Sequence, residues 1–213
     1  MEHFKGLQTC RWSLENGRLL YMKRYIFLLP LLVLFLAGCG NDSSANGATQ
    51  ERLSSAGGSK LEEKLGRLGF QTPTEELQAV DFSLEDLAGG ETALSSFTGK
   101  VIFLNFWATW CGPCRAEIPS MEQLYVELRD EGFTILAVNS QEAVNQVSNF
   151  VKETGMSFPV LLDGTGRVGA AYSVRAIPTT YIIDPQGAIR GRMVGTRDWY
   201  SPEIISLVKE LLP

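Results

Sequence analysis

The sequence is almost without histidine: His3 is the only one in 213 residues. It lies in an N-terminal stretch that, as argued below, is expected to be removed. Without it no imidazole remains for general-base work, which excludes Ser-His-Asp and Cys-His catalysis. A basic surplus is also missing. Nineteen Lys and Arg face 24 Asp and Glu, for a net charge of −5 and a pI near 5.0. That balance offers no electrostatic footprint for nucleic acid. No internal repeat is visible. Cysteine is scarce, with four in the chain: Cys10, Cys39, Cys111 and Cys114. What is present fits a globular protein. Hydrophobic residues make up 45% and charged residues 20%, and the length suits one domain with extras.

The longest apolar run, Ile26–Ala37, is too short for a spanning helix, which needs about 20 residues. Preceded by Met22-Lys23-Arg24-Tyr25 it reads as the h-region of a secretory signal. It ends in Leu36-Ala37-Gly38-Cys39, which resembles the lipobox of bacterial lipoproteins. That resemblance implies cleavage before Cys39, lipidation of Cys39, and a membrane-anchored protein on the periplasmic face or cell surface. Residues 1–21 are too long and mixed for an n-region, so Met22 reads as the true start. Removal of 1–38 as signal peptide discards His3 and Cys10 in either case. Residues 1–39 hold five basic residues (Lys5, Arg11, Arg18, Lys23, Arg24) and two acidic ones (Glu2, Glu15). The chain beyond Cys39 therefore carries 14 basic against 22 acidic residues, a net of −8. Residues 39–75 read as a lipidated N-terminus and flexible linker, since 40–59 is mostly small and polar. Leu61, Leu65 and Leu68 have the spacing of a short helix over 60–69.

A third segment, 76–213, is densely patterned and reads as an α/β domain. Ala79–Glu85 and Ala93–Phe97 are strand-like and joined through Ala88-Gly89-Gly90, a turn signal. Val101–Ala108 and Phe133–Ser140 are apolar runs of β-forming residues, as expected of strands buried on both faces. Between them a helix is predicted to run to about Asp130, with Ile118, Met121, Leu124, Tyr125 and Leu128 on its apolar face and Pro119 kinking it. A second helix is predicted over Ala143–Glu153, closed by Gly155. A short strand at Pro159–Leu162 and a short helix at Arg167–Tyr172 follow. Thr179–Asp184 and Ala188–Val194 flank Pro185-Gln186-Gly187 as a hairpin. The last helix should open with Ser201 as N-cap and Pro202 at its first position. Alternation of strand and helix implies a parallel core, with antiparallel strands added by the hairpins.

Cys111-Gly112-Pro113-Cys114 lies between a buried strand and a helix. Zinc ribbons need a second such pair or partner histidines, and neither exists beyond Cys39, so no metal and no cofactor are expected. A purely structural disulfide across so small a loop would stabilise little. A redox dithiol remains. Cys111, at the helix N-terminus, has its thiolate favoured by unpaired N–H groups and the helix dipole, and is the expected nucleophile. Cys114, one turn on and further inside, is the expected resolving thiol.

Asn105 to Cys114, reading NFWATWCGPC, is similar to the thioredoxin active-site signature. Asp81–Leu87, Asn139–Glu142, Phe158–Asp163 and Ile177–Asp184 resemble the TlpA/ResA/DsbE branch of extracytoplasmic thioredoxin-like proteins. The resemblance spans roughly residues 76–213. It implies a thioredoxin-like fold with an N-terminal β-hairpin and an inserted helix in its central region. It makes Pro178 the cis-proline facing the dithiol, and a proline there also lacks an N–H that could compete near the sulfurs. Trp110, Pro113, Ile177 and Pro178 become the client-contact surface, and Trp107 serves either core packing or that surface. It implies client proteins with disulfides or thiols, apocytochrome c among them, an upstream membrane dithiol reductant, and a monomer. Ordinary thioredoxins carry a titrating aspartate where this chain has Asn105. By sequence logic its replacement is Glu142, which follows the second buried strand and should emerge at the same sheet edge as the dithiol. A solvated carboxylate at a helix start is the other reading of Glu142. Gly112-Pro113 between the cysteines favours a reductant. A disulfide oxidase or isomerase, a thiol peroxidase and a non-enzymatic client-binding adaptor remain as alternatives.

Overall fold

The computed structural model describes residues 60–213. The expected signal peptide, Cys39 and the expected polar tether lie outside the described residues. Among the described residues seven strands form one sheet in the order β2-β1-β5-β4-β3-β6-β7. At its centre β3 (Val101–Trp107) and β4 (Phe133–Ser140) run parallel in register, Val101 beside Phe133 and Trp107 beside Asn139. Both strands are buried along nearly their whole length because both sheet faces are covered. Side chains alternate between two cores. Val101, Phe103 and Trp107 enter one, while Ile102, Leu104 and Phe106 enter the other.

The first core is closed by helices. α1 runs through residues 60–67 and buries Leu65, with Leu61 and Leu68 packed beside it. α2 (Gly112–Leu128) buries Ile118, Met121, Leu124 and Leu128. Each such side chain contributes about 1.5–3 kcal/mol relative to exposure. Tyr125 is only partly buried and meets Phe158 edge-on at 6.0 Å. Pro119 sits inside α2 without ending it. α3 (Val144–Thr154), closed by Gly155, adds Val147. α5 (Pro202–Leu211) adds Ile204, Leu207 and Val208, and its N-cap Ser201 accepts a hydrogen bond from the Ile204 amide, as the sequence predicts. α3 and β5 (Val160–Asp163) form the crossover inserted after β4, with β5 parallel to β4. The short α4 (Arg167–Ala171) follows and covers the second core with Val168 and Tyr172.

The antiparallel additions are β6 (Thr179–Ile183) against β3, β7 (Ile189–Val194) against β6, and the hairpin of β1 (Ser83–Asp86) and β2 (Glu91–Ala93) against β5. Gly89 turns that hairpin at φ +82°, a conformation costly to residues with a Cβ. Residues 71–79 run beside β7. Gln71 bridges Arg192, Gln78 bridges Ala188, and the Ala79 and Ile189 amides donate to Gly187 and Leu77. One expected strand is different. Leu94–Phe97 forms a 3-10 turn. Ser96 Oγ donates to Ala93 O, Thr98 Oγ1 donates to Ser95 O, and Asp81 Oδ1 accepts from the Ser95 amide. These local bonds hold a tight turn in place of a ladder. Asp81 also accepts from the Phe82 amide, and β1 begins only at Ser83.

Candidate active site

β3 delivers Thr109, Trp110 and Cys111 to the edge of the sheet, and α2 starts there. Cys111 is the N-cap of α2, with extended backbone (φ −81°, ψ 104°), and its Sγ accepts a hydrogen bond from the Cys114 amide at 3.2 Å. This bond occupies one of the donors that a helix leaves free at its N-terminus. Pro113 lies in the first turn, where a missing N–H costs nothing. Cys111 and Cys114 are joined in a disulfide with Cα atoms 5.3 Å apart. The expected contrast in access is small in this oxidised form: Cys111 is 5% exposed and Cys114 1%. Trp110, at 68% exposed, stands out into solvent. Trp107 is a core residue, packed against the Phe150 ring at 5.4 Å.

The Ile177–Pro178 peptide bond is cis. Register places it. Phe106 pairs with Thr179, so Pro178 enters β6 at the end of the sheet where β3 runs out toward Cys111. Trp110, Gln141, Arg175, Ala176 and Ile177 line a groove of about 470 Å³ at this end. Four of the residues singled out in the sequence, Trp110, Cys111, Ile177 and Pro178, therefore meet at one edge.

Glu142 reaches the same edge, but its partners are neither cysteine nor Asn105. Its Oε2 accepts from the Thr109 amide and from Asn139 Nδ2, both at 2.7 Å. Its Oε1 accepts from Thr109 Oγ1 at 2.5 Å and Gln146 Nε2 at 2.7 Å. The half-buried carboxylate thus ties the loop before Cys111 to the loop after β4.

The carboxylate beside Asn105 is Glu117. It lies one turn beyond Cys114 on α2 and is 1% exposed. Asn105 Nδ2 donates to Glu117 Oε1 at 3.0 Å and to Thr180 Oγ1 at 2.9 Å. Trp199 Nε1 donates to Glu117 Oε2 at 2.9 Å. Burial disfavours the charged form and pushes this carboxyl up to about 7, against the pull of the Trp199, Asn105 and Arg197 hydrogen bonds. A group that titrates there can take and give protons at physiological pH. The sequence did hold a signal for it. Glu117 falls on the same helical stripe as Cys114, Met121, Leu124 and Leu128, where a charge stands out.

Among the described residues no group of three or more His, Cys, Asp or Glu side chains is placed to hold a metal ion. Nor is any described helix long and apolar enough to cross a membrane.

Comparison with known proteins agrees with this chemistry. Residues 76–192 match the AhpC/TSA family. Over 118 residues the chain is 44% identical to the thiol-disulfide oxidoreductase ResA of Geobacillus kaustophilus, covering 55% of this chain and 68% of that protein. It is 42% identical over 128 residues to ResA of Bacillus subtilis, covering 60% and 72%. A solved structure, described as a putative thiol:disulfide interchange protein DsbE from Chlorobium tepidum, superposes with a TM-score of 0.61 at 32% identity, over 65% of this chain and 98% of that one. With its helix-capping disulfide, cis-proline and thioredoxin-like sheet, the chain belongs to the AhpC/TSA family and is a thiol-disulfide oxidoreductase of the ResA/DsbE type.

Proposed function

We propose that the protein is a membrane-tethered, extracytoplasmic reductant of disulfides in other proteins. The observation that carries this reading is the Cys111–Cys114 pair at the N-terminus of α2, at the sheet edge that also holds the Pro178 loop. In the reduced form the Cys111 thiolate attacks one sulfur of a client disulfide, and the other client sulfur leaves as a thiolate. Cys114, its proton passing to Glu117, then attacks Cys111 Sγ. The second client thiol departs and the Cys111–Cys114 disulfide forms. Two electrons have moved to the client, and an upstream dithiol must return them. Trp110, Pro113, Ile177 and Pro178 form the contact surface for the client chain, with Trp110 as its exposed anchor. In this mechanism Glu142 holds Thr109 and thereby the approach to Cys111.

Lipidation at Cys39 supplies the tether, and the cysteine pair of an apocytochrome c awaiting haem is a client of suitable chemistry. The ResA and DsbE names of the relatives support the exchange chemistry, and the lipobox-like Leu36-Ala37-Gly38-Cys39 supports the tether.

Trapping tests the assignment. Cys114→Ser should accumulate client proteins as mixed disulfides on Cys111, because no resolving thiol remains, while Cys111→Ser should accumulate none. Equal trapping by both variants, or by neither, would sink it. An insulin-reduction assay with peroxide turnover as control separates a disulfide reductant from a peroxidase and from an inert adaptor. For the tether, mass spectrometry of membranes should find a lipid-modified Cys39 and no peptide from 1–38.

A further inference from the structure

Glu117 is held from a direction unrelated to the dithiol. Trp199, in the loop between β7 and α5, is fastened to α2 twice. Trp199 Nε1 donates to Glu117 Oε2 at 2.9 Å, and the Trp199 amide donates to Ser120 Oγ at 3.1 Å. The indole is fully buried, with Phe103 of β3 against it at 5.4 Å and Phe70 at 6.2 Å. Arg197 closes the arrangement. Its guanidinium lies 5.3 Å from the Phe70 ring and 5.5 Å from the Trp199 ring, and Nη1 donates to Leu68 O at 2.8 Å. Phe70 is itself fixed by the end of α1, where its amide donates to Leu65 O and Gly69 turns the chain at φ +81°. A contiguous set of contacts therefore runs from α1 through Phe70, Arg197 and Trp199 to the carboxylate.

We propose that Trp199, set by Arg197 and Phe70, is a positioning residue for Glu117, orienting the carboxylate and fixing its proton affinity through the indole N–H. The inference rests on the reading of Glu117 as the proton acceptor for Cys114. An indole N–H is donor-only, so it favours the ionised carboxylate and cannot accept the proton of the neutral acid. A phenylalanine would fill most of the same space without that bond. The other groups facing Glu117 are few. β3 brings the neutral Asn105, itself bonded to Thr180 of β6, and the loop before α5 brings the Arg197 backbone amide. The Arg197 guanidinium lies over the Phe70 and Trp199 rings, where burial disfavours its charge and Asp198 and Glu203 favour it.

The test is a pH titration of the oxidised full-length chain, in which Cys111 and Cys114 cannot titrate. The ¹⁵N-labelled indole resonance of Trp199 should shift with pH, with its midpoint at that of Glu117, near 7. Glu117→Gln should abolish that shift. In Trp199→Phe the ¹³C carboxyl resonance of Glu117 should titrate higher, by about one pH unit, as loss of a hydrogen bond to a charged group implies. The resolving step at neutral pH should slow several-fold in the same variant. A Trp199 indole that stays still while Glu117 titrates would overturn the proposal, and so would an unmoved Glu117 midpoint in Trp199→Phe. The indole titration uses the unaltered protein, so it decides the matter even if the variant fails to fold. If Glu117→Gln leaves the resolving rate unchanged, the proton-acceptor reading fails separately, whatever the indole does.

Discussion

Glu117 and Glu142 are two carboxylates near one dithiol, and the fold treats them in different ways. Glu142 sits half-buried at the mouth of the site and accepts four hydrogen bonds, from the Thr109 amide and hydroxyl, Asn139 and Gln146. Glu117 is sealed beneath the site, with donors from the Asn105 and Trp199 side chains and the Arg197 backbone. Its burial outweighs those bonds, and the carboxyl is held up to about 7. At Glu117 burial outweighs donor supply, and that balance is what favours the neutral acid. Glu142 is equipped to hold a loop, and Glu117 to change its charge.

The strongest way to break this comparison is kinetic. Glu117→Gln should slow the resolving step by about 10²-fold, the lower range for a lost general base. Rapid-quench analysis should show the Cys111–client mixed disulfide building up near neutral pH. An unchanged resolving rate would remove Glu117 from the mechanism.

The same substitution should alter stability with a defined sign. In the unfolded chain Glu117 ionises near its ordinary 4.5, while in the folded chain it keeps its proton up to about 7. Between those values the folded form binds more protons, so Glu117 makes stability fall as pH rises through the window. Glu117→Gln should therefore stabilise the oxidised protein by about 3 kcal/mol above pH 7 and change little below the window. Denaturant melts at the two extremes measure this, and a pH-independent difference would contradict it.

Glu142→Gln sharpens the other side. An amide cannot accept at both positions, so the Thr109 loop should lose about 1–3 kcal/mol of support. Hydrogen exchange should rise at the Thr109 amide. The inflection assigned to Glu117 should remain in place, and its disappearance would contradict that assignment. The smallest effect should come from Trp110→Ala. The side chain is so exposed that the melting temperature should hardly move. The KM for a protein client should rise several-fold while reduction of a small disulfide stays constant.

Much of the fold was legible because its signals are local. The apolar runs at Val101 and Phe133 read as strands buried on both faces, and they pair in parallel as expected. Ser201 and Pro202 announced the start of α5. Of the strand expected over Ala93–Phe97, Leu94–Phe97 is a turn instead, because Ser, Thr and Asp side chains capture its backbone, which the apolar pattern does not reveal. At the site, the cysteines and the Pro178 loop could be read from motif and resemblance. The helical stripe marks Glu117 as an unusual charge on an apolar face, but does not show what it meets. Its partners Asn105 and Trp199 lie 12 and 82 residues away, and only the packing of α2 on β3 and the final loop brings them together. Glu142 lies at the edge the strand order implies, but its partners Thr109 and Gln146 have side chains that the strand pattern does not orient.

The run of residues 71–79 along β7 has a consequence for the protein's safety among other polypeptides. A bare outer strand is a template on which extended chains assemble into aggregates. Here Gln71, Leu77 and Ala79 occupy hydrogen-bonding positions along that border, and the opposite border is β2, only three residues long. Neither flank leaves a long free ladder to recruit a passing segment. Contact with a foreign chain is thereby steered away from the sides of the sheet and toward its end, where the Trp110 groove and the sulfurs lie.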